Sequence, residues 1–380
     1  MNEVSMMEQM KPVAVSEPRI VRGYFAEVPV RLDDPGKWSD TPLARTLVGQ
    51  GSVLNFSGYL RPHGEKSQFK GLQVFAHIGE SRSSEAGKII VSAGSDPKFD
   101  CFADRQALAA GDFNKRELPL AVLSLLDFSR IPAGDIHLSI SSPIGPGASL
   151  GTSAATSVAI LRAFLGSDYP ADEIARMAVF VEDKILCVKT GNQDQIAATQ
   201  GSSLKPSACQ YIRIEDLYAF SVSPEVVGNN VRRLFETAVV VYLGGHNSSD
   251  IHQMVGDKLR ENEKLATDKL RNIGMTAALM AEALRLDNVD LFTKVLSQLK
   301  TCQMDLHPDL INSVAEEIIL ETRESSGICV TGAGGRGGSL IVHFYNPGGR
   351  DRFAANFLAK YQNLDYRLFD VRLADEPKSP

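Results

Sequence analysis

The chain has no long apolar run, a single tryptophan, and five cysteines that never form a C-x-x-C pair. The apolar runs are far too short to span a bilayer. Cys101, Cys187, Cys209, Cys302 and Cys329 are an odd, scattered set. That pattern fits free thiols in a reducing cytosol rather than a disulfide framework, and a cytoplasmic location is expected. The seven histidines show no metal spacing: His246 and His252 are six apart, off a common helix face. Excess positive charge is also missing. With 40 basic and 46 acidic residues the net charge is −6, which argues against a nucleic-acid or membrane surface. Residues 1–19 contain Met, Glu and Pro but no apolar core. They read as a loose N-terminal extension, not a signal peptide. No Gly-x-x-x-x-Gly-Lys-Ser/Thr string occurs, so a Walker-type phosphate loop is excluded.

What is present is an ordinary globular composition, 43% hydrophobic and 23% charged, long enough for one large or two ordinary domains. Strands are expected at 28–32, 52–57, 73–78 and 88–92, with polar turns near 62–71 and 80–87. A helix is expected at 118–128, a strand at 136–140, then helices at 152–165, 171–186 and 193–200. The stretch 201–206 reads as the end of a first domain. Beyond it, strands are expected at 210–214 and 237–243. A long helical region covers 251–286, broken near Gly274. Helices at 289–300 and 308–321 and strands at 328–331, 339–345 and 366–373 follow. Strands mixed with helices, without regular βαβ alternation, imply an α+β fold in two halves, 20–206 and 207–375.

The most informative stretch is Ser142-Pro143-Ile144-Gly145-Pro146-Gly147-Ala148-Ser149-Leu150-Gly151-Thr152-Ser153-Ala154-Ala155. It lies between the alternating strand Ile136, Leu138, Ile140 and a helix that starts near Thr152 and meets Gly166 at its C-cap. A strand, a small-residue loop and a helix start together suit an anion: backbone N–H groups approach it closely and the helix N-terminus adds unpaired donors. A tight connection without a ligand is the plainer alternative.

Two carboxylates stand out. Glu182 lies near the apolar stripe Ile174, Ala178, Val181, Ile185. It is either paired or metal-bound there, or reaches solvent from the stripe's edge. Asp194, in Gly191-Asn192-Gln193-Asp194-Gln195, falls in the first turn of a helix, where the dipole favours its charge. It suits accepting a hydroxyl proton, or simply capping the helix. Near the C-terminus, Gly332-Ala333-Gly334-Gly335-Arg336-Gly337-Gly338 contains a formal Gly-x-Gly-x-x-Gly. Leu340, Val342 and Phe344 then alternate as a strand, so a dinucleotide fold is rejected and a glycine-rich hairpin expected.

Residues 143–155 resemble the nucleotide-phosphate loop of the GHMP kinases (galactokinase, homoserine kinase, mevalonate kinase, phosphomevalonate kinase), with Ser149 where the family has glycine. Arg31-Leu32-Asp33-Asp34-Pro35-Gly36-Lys37-Trp38-Ser39-Asp40-Thr41-Pro42 resembles the first motif of the fucokinase/heptose-kinase branch. That branch reads Arg-x-Asp-Leu-Ala-Gly-Gly-Trp-Ser-Asp-Thr-Pro, so Asp34-Pro35 and Lys37 depart from it. Gly191–Gln195 resembles the family's Gly-x-x-Asp-Gln, and 332–338 its third motif, with Arg336 in place of glycine. The four occur in the family's order along the chain.

The resemblance implies the GHMP kinase fold: an N-terminal domain similar to ribosomal protein S5 domain 2 and a ferredoxin-like C-terminal domain. It implies ATP and Mg²⁺ as cofactors and a sugar or sugar phosphate as the small-molecule partner, and it leaves room for a homodimer. Asp194 matches the catalytic aspartate, and Arg31 the basic residue near the transferred phosphate. Pro143, Gly145, Gly147, Ser149, Gly151, Thr152, Ser153 and Ala154 match the nucleotide loop. Ser153 and Glu182 match the Mg²⁺ contacts. Asp40 matches the sugar-hydroxyl ligand, with Trp38, Lys37, Gly334 and Gly335 beside it. Trp38 fills the core or packs on a sugar face. Lys37 and Arg336 add charge suited to a second anion. The expected function is phosphorylation of a fucose- or heptose-phosphate-like aldose, at the anomeric hydroxyl by analogy with that branch. A non-sugar alcohol kinase and a non-catalytic sugar- or nucleotide-binding regulator are the rivals.

Overall fold

The structure is a computed structural model. It describes residues 20–79, 87–93, 101–104, 108, 113–114, 117–188, 191–203, 205–322, 327–331, 335 and 337–376. The fold is mixed, with helices packed on two sheets.

The first sheet has five strands in the order β1 (Ile20–Val28), β4 (Leu72–Gly79), β7 (Asp135–Ser141), β5 (Lys88–Ala93), β6 (Cys101–Asp104). Alternation decides its faces. Leu72, Val74, Ala76 and Ile78 of β4 and Ile136, Leu138 and Ile140 of β7 are buried, while Phe75 between them is exposed. The inward face packs on the helix Thr152–Leu165, whose Ala155, Val158, Ala159 and Leu161 join the same core. That helix ends at Gly166, with φ +89° and an N–H bonded to Arg162 O. Small and β-branched side chains on nearly every face suit a helix enclosed by protein.

The second sheet runs β11 (Gly327–Val330), β12 (Ser339–His343), β10 (Val239–Tyr242), β13 (Arg367–Leu373), β3 (Gly51–Pro62), β8 (Cys209–Ile214), β9 (Phe220–Glu225). A short β2 (Val30–Arg31) also pairs with β3. β3 comes from the early part of the chain yet lies between β13 and β8 from the late part. Its polar side chains place the site. Asn55 Nδ2 donates to Gln193 O at 2.8 Å, and Ser57 Oγ to Ala197 O at 3.0 Å, pinning the helix Gln193–Gly201.

Several expectations need correction. The long helical region breaks at Asn262, not Gly274, giving Ser248–Arg260 and Glu263–Arg285. Asn262 caps the second helix, accepting the Leu265 N–H at 3.1 Å. Gly274 sits inside that helix, where Ser52 Oγ bonds its carbonyl at 3.1 Å. The expected helix 118–128 stops at Leu123. The helix starting at Ala171 passes at Val181 into a single π-turn, Val181–Ile185, rather than continuing as α-helix. The edge strand β9 and the helix Pro347–Lys360 had no strong sequence signal, whereas Asn229–Glu236, absent from the expectations above, carries a helical apolar set in Val231, Leu234 and Phe235. The helix Pro347–Lys360 opens on Pro347-Gly348-Gly349, which reads as a turn, and buries only Phe353, Ala354 and Phe357. Cys209, Cys302 and Cys329 are buried free thiols, but Cys187 is exposed.

Candidate active site

Arg31 is the hub. β2 presents it, and its own N–H bonds Leu150 O at 3.1 Å, fixing the strand to the end of the glycine loop. Its side chain is 2% exposed. Nε donates to Asp194 Oδ1, Nη1 to Asp34 Oδ2 at 2.5 Å, and Nη2 to Ser149 O at 2.6 Å. Burial alone lowers a guanidinium's pKa. The Asp194 and Asp34 carboxylates outweigh it and hold Arg31 above its ordinary value.

Asp194 stands in the first turn of the helix Gln193–Gly201 and is the open end of this cluster, 32% exposed. Its carboxylate goes to Arg31, and the helix start has no side-chain cap bond. Gly151 lies against it: a Cβ there would come within 3.0 Å of Asp194 Cγ. Gly151 is also the N-cap of Thr152–Leu165. Two helix N-termini and one carboxylate therefore converge.

The loop before Gly151 is held by alternate burial. Ile144, Ala148 and Leu150 enter the core, while Pro143, Gly145, Gly147 and Ser149 stay partly accessible. The backbone is left-handed at every second residue, Gly147 (φ +75°), Ser149 (+62°) and Gly151 (+66°). Left-handed residues at intervals turn N–H groups toward a shared concavity. Position 149 thus wants glycine for a conformational reason, and serine occupies it here. Thr152 is partly exposed and Ser153 exposed, whereas Ala154 is buried.

Two further segments, Gly244–His246 and Gly337–Gly338, support the loop. His246 N–H bonds Gly147 O at 3.2 Å, and Gly338 N–H bonds Gly244 O at 2.7 Å. A Cβ on Gly147 would lie 2.5 Å from His246 O. His246 also brings its ring nitrogens to 3.4 and 3.5 Å from Ser149 Oγ. Gly244-Gly245 directly after an apolar strand was the overlooked signal in the sequence. Of the third motif, Gly334 and Arg336 lie outside the described residues. Gly335 is buried, with its N–H on Leu310 O at 2.9 Å and its carbonyl on Asn312 Nδ2 at 2.8 Å. With both backbone groups used, it does not face an acceptor, which corrects its expected role.

On the other side of Asp194 lies Asp40, 3% exposed. Its Oδ2 accepts the Gln193 N–H at 3.4 Å. A Cβ on Gly191 would fall 1.6 Å from that oxygen, so the Gly191 backbone packs against that side of the carboxylate. Burial, reinforced by the Asp194 charge, pushes the Asp40 pKa up to about 6. Trp38 is 5% exposed with φ +72°. It packs in the core against the ring of His252, centroids 4.8 Å apart. Burial pushes His252 down to about 4, keeping it neutral. Trp38 thus fills the core rather than offering a sugar platform.

Lys37 requires the larger correction. It is 1% exposed, and Nζ is held by Asp34 Oδ1 at 3.1 Å and by the Val330 carbonyl. Its charge is spent inside the protein and is not offered to a second anion. Asp34, which had no assigned role, is the partner that buries it. Behind them Asp33 Oδ2 meets His343 Nε2 at 2.8 Å, both fully buried.

Glu182, on the π-turn, is 5% exposed and accepts Gln195 Nε2 at 2.9 Å. It is a buried, paired carboxylate whose partner is the residue after Asp194, not a solvent-reaching edge residue. Ser153 and Glu182 supply the hard oxygens Mg²⁺ prefers, and Mg²⁺ takes few protein ligands beside phosphate oxygens. Among the described residues no three His, Cys, Asp or Glu side chains gather as a metal cage. The glycine cradle and helix start fit a nucleotide phosphate.

Comparison with known proteins gives a consistent picture. Residues 117–202 match the family described as GHMP kinases N terminal domain. A bifunctional fucokinase/GDP-fucose pyrophosphorylase from Arabidopsis thaliana is 25% identical over 343 residues, 87% of this chain. The match spans 30% of that relative's length. A D-glycero-D-manno-heptose 1-phosphate kinase from Bacteroides thetaiotaomicron superposes with TM-score 0.64 at 18% identity, covering 93% and 96% of the two chains. Lactococcus lactis galactokinase, solved with galactose, gives 0.64 at 14%, covering 94% and 95%. Methanococcus jannaschii mevalonate kinase gives 0.61 at 18%, covering 94% and 99%. No described helix is long and apolar enough to cross a membrane.

Proposed function

We propose that this chain, which belongs to the GHMP kinase family, is an ATP- and Mg²⁺-dependent kinase acting on a hydroxyl of an aldose, free or already phosphorylated. The observation that carries the reading is the convergence of Asp194, Arg31 and the Gly151 helix start. Phosphoryl transfer needs little covalent chemistry from the protein. It needs an anion cradle, charge stabilisation and a carboxylate for the attacking hydroxyl.

In this reading the loop 143–151 and the first-turn N–H groups of Thr152, Ser153 and Ala154 hold the nucleotide phosphates. Ser153 and Glu182 would hold Mg²⁺, which when bound would neutralise phosphate charge. Asp194 receives the proton of the acceptor hydroxyl, and Arg31 aims that carboxylate. Asp40, close by and dry, binds acceptor hydroxyls. Its burial makes each such bond selective, because an acceptor lacking the hydroxyl leaves the carboxylate unpaired. The fucokinase and heptose-phosphate kinase similarities favour an aldose, phosphorylated at the anomeric hydroxyl by analogy with that branch. Of the rival readings, a non-sugar alcohol kinase shares the fold similarity to mevalonate kinase and a non-catalytic regulator has Ser149 in place of glycine in its favour; Ser153, Glu182 and Asp194, all present, speak against the regulator.

The test is ADP release with ATP and Mg²⁺ over a panel of free and phosphorylated aldoses, including L-fucose and heptose phosphates, with mevalonate and homoserine alongside. Turnover on an aldose is expected. Turnover on mevalonate or homoserine alone, or on nothing, overturns the reading.

A further inference from the structure

Four charges alternate in a line from β11 to the open site: Lys37, Asp34, Arg31, Asp194. Lys37, Asp34 and Arg31 are 1%, 0% and 2% exposed, while Asp194 is 32% exposed. Asp34 sits between two cations, with Oδ1 at 3.1 Å from Lys37 Nζ and Oδ2 at 2.5 Å from Arg31 Nη1. Arg31 in turn sits between two carboxylates. Those carboxylates compete. Attraction is stronger where water is excluded, so withdrawing the Lys37 charge would strengthen the pull of the fully buried Asp34 on the guanidinium relative to that of the partly exposed Asp194. The Lys37 ammonium is anchored on its far side by the Val330 carbonyl at the end of β11, so it cannot swing away from Asp34.

We propose that Asp34 and Lys37 are a coupled pair of positioning residues for Asp194. Asp34 fixes the guanidinium through Nη1 so that Nε faces Asp194. Lys37 neutralises Asp34 so that Arg31 is not drawn off. The functional half of this rests on Asp194 acting on the acceptor hydroxyl. The positional half does not. The pair also explains how a lysine is kept at a place with no solvent: its charge is matched within the same turn, and an unmatched one would be expelled or neutralised.

The test compares the full chain with its Lys37→Met and Asp34→Asn/Lys37→Met variants, by crystal structure and by kinetics. In Lys37→Met, Arg31 is expected to leave Asp194 for a forked pair with Asp34. A misplaced charge of this kind lowers kcat roughly 10- to 100-fold. KM for ATP should stay within about twofold, because the nucleotide loop is untouched. In the double variant, the side-chain amide oxygen at position 34 still accepts from Nη1 but no longer competes as a charge. Arg31 should return to Asp194 and kcat should recover to within roughly fivefold of the parent. A merely structural pair would not show that recovery. Arg31 still on Asp194 in Lys37→Met, or a double variant no better than the single, overturns the proposal. If Lys37→Met does not fold, the double variant decides: loss of the Arg31–Asp194 contact there overturns it equally. A parent that phosphorylates no acceptor would sink the kinase reading alone, since the two crystal structures report the positions independently.

Discussion

The Arg31 guanidinium donates its Nε–H to Asp194 across 163 residues of sequence. One comes from a two-residue strand, the other from the first turn of a helix that β3 pins in place through Asn55 and Ser57. An ion pair held from both sides by backbone-anchored elements orients the carboxylate without help from a substrate.

Asp194→Asn retains the shape and removes the charge. If Asp194 accepts the hydroxyl proton, kcat should fall by roughly two to four decades. The fold should remain, because Asp34 still pairs with the buried Arg31, with a melting temperature lowered by loss of the Asp194 charge. Steady-state turnover beside a thermal melt checks both, and near-parent turnover would remove Asp194 from the mechanism.

Glu182→Gln keeps the volume and a partner for Gln195 while discarding a hard anionic oxygen. The Mg²⁺ concentration for half-maximal rate should rise about tenfold or more, with maximal turnover reduced. A Mg²⁺ titration superimposable on the parent's would make Glu182 a structural carboxylate only.

Asp40 gives a pH signature. Its folded pKa, about 6, lies above the ordinary carboxylate range because of burial and then the Asp194 charge. Between roughly pH 4 and 6 the folded chain therefore holds a proton that the unfolded chain has released. Stability contributed by this group is greatest below about pH 4 and declines as pH rises to about 6, by on the order of 3 kcal/mol. Asp40→Asn should abolish that decline, as urea unfolding at a series of pH values will read. Conversely, acceptor hydroxyls bind the ionised form, so kcat/KM for the acceptor should rise with pH through about 6 in the parent. A profile flat between roughly pH 5 and 7 would exclude Asp40 from acceptor binding.

Gly191→Ala tests the same carboxylate from outside. The new methyl would lie 1.6 Å from Asp40 Oδ2, so the buried side chain must move. KM for the acceptor should rise at least about tenfold, with KM for ATP close to the parent's, since the substitution presses on Asp40 and not on the nucleotide loop. Parallel losses in both constants would mean that the substitution damages the fold rather than the acceptor pocket.

Much of this site was legible in the sequence. Strand β7, the glycine loop and the helix from Thr152 follow from alternation, small residues and a capping glycine, all local patterns. The position of Asp194 in a helix first turn was local as well. Glu182 was readable only as near a buried stripe. Whether it was paired required Gln195, which is 13 residues away. Lys37 and Trp38 were misjudged or left open for one reason: burial is not a property of a residue's own segment. A lysine reads as a free cation until an aspartate and a strand-end carbonyl from 293 residues away are known to enclose it.

The sequence by itself determined the local features that carry chemistry: where the small-residue loop lies, where the helix after it begins, and that Asp194 sits in a helix first turn. Short-range sterics and capping decide such features within a few residues. Only the tertiary structure decided which charges meet and which are spent. Attraction between charges depends on separation and exclusion of water. Both were fixed when β3 entered the second sheet and β11 closed over Lys37.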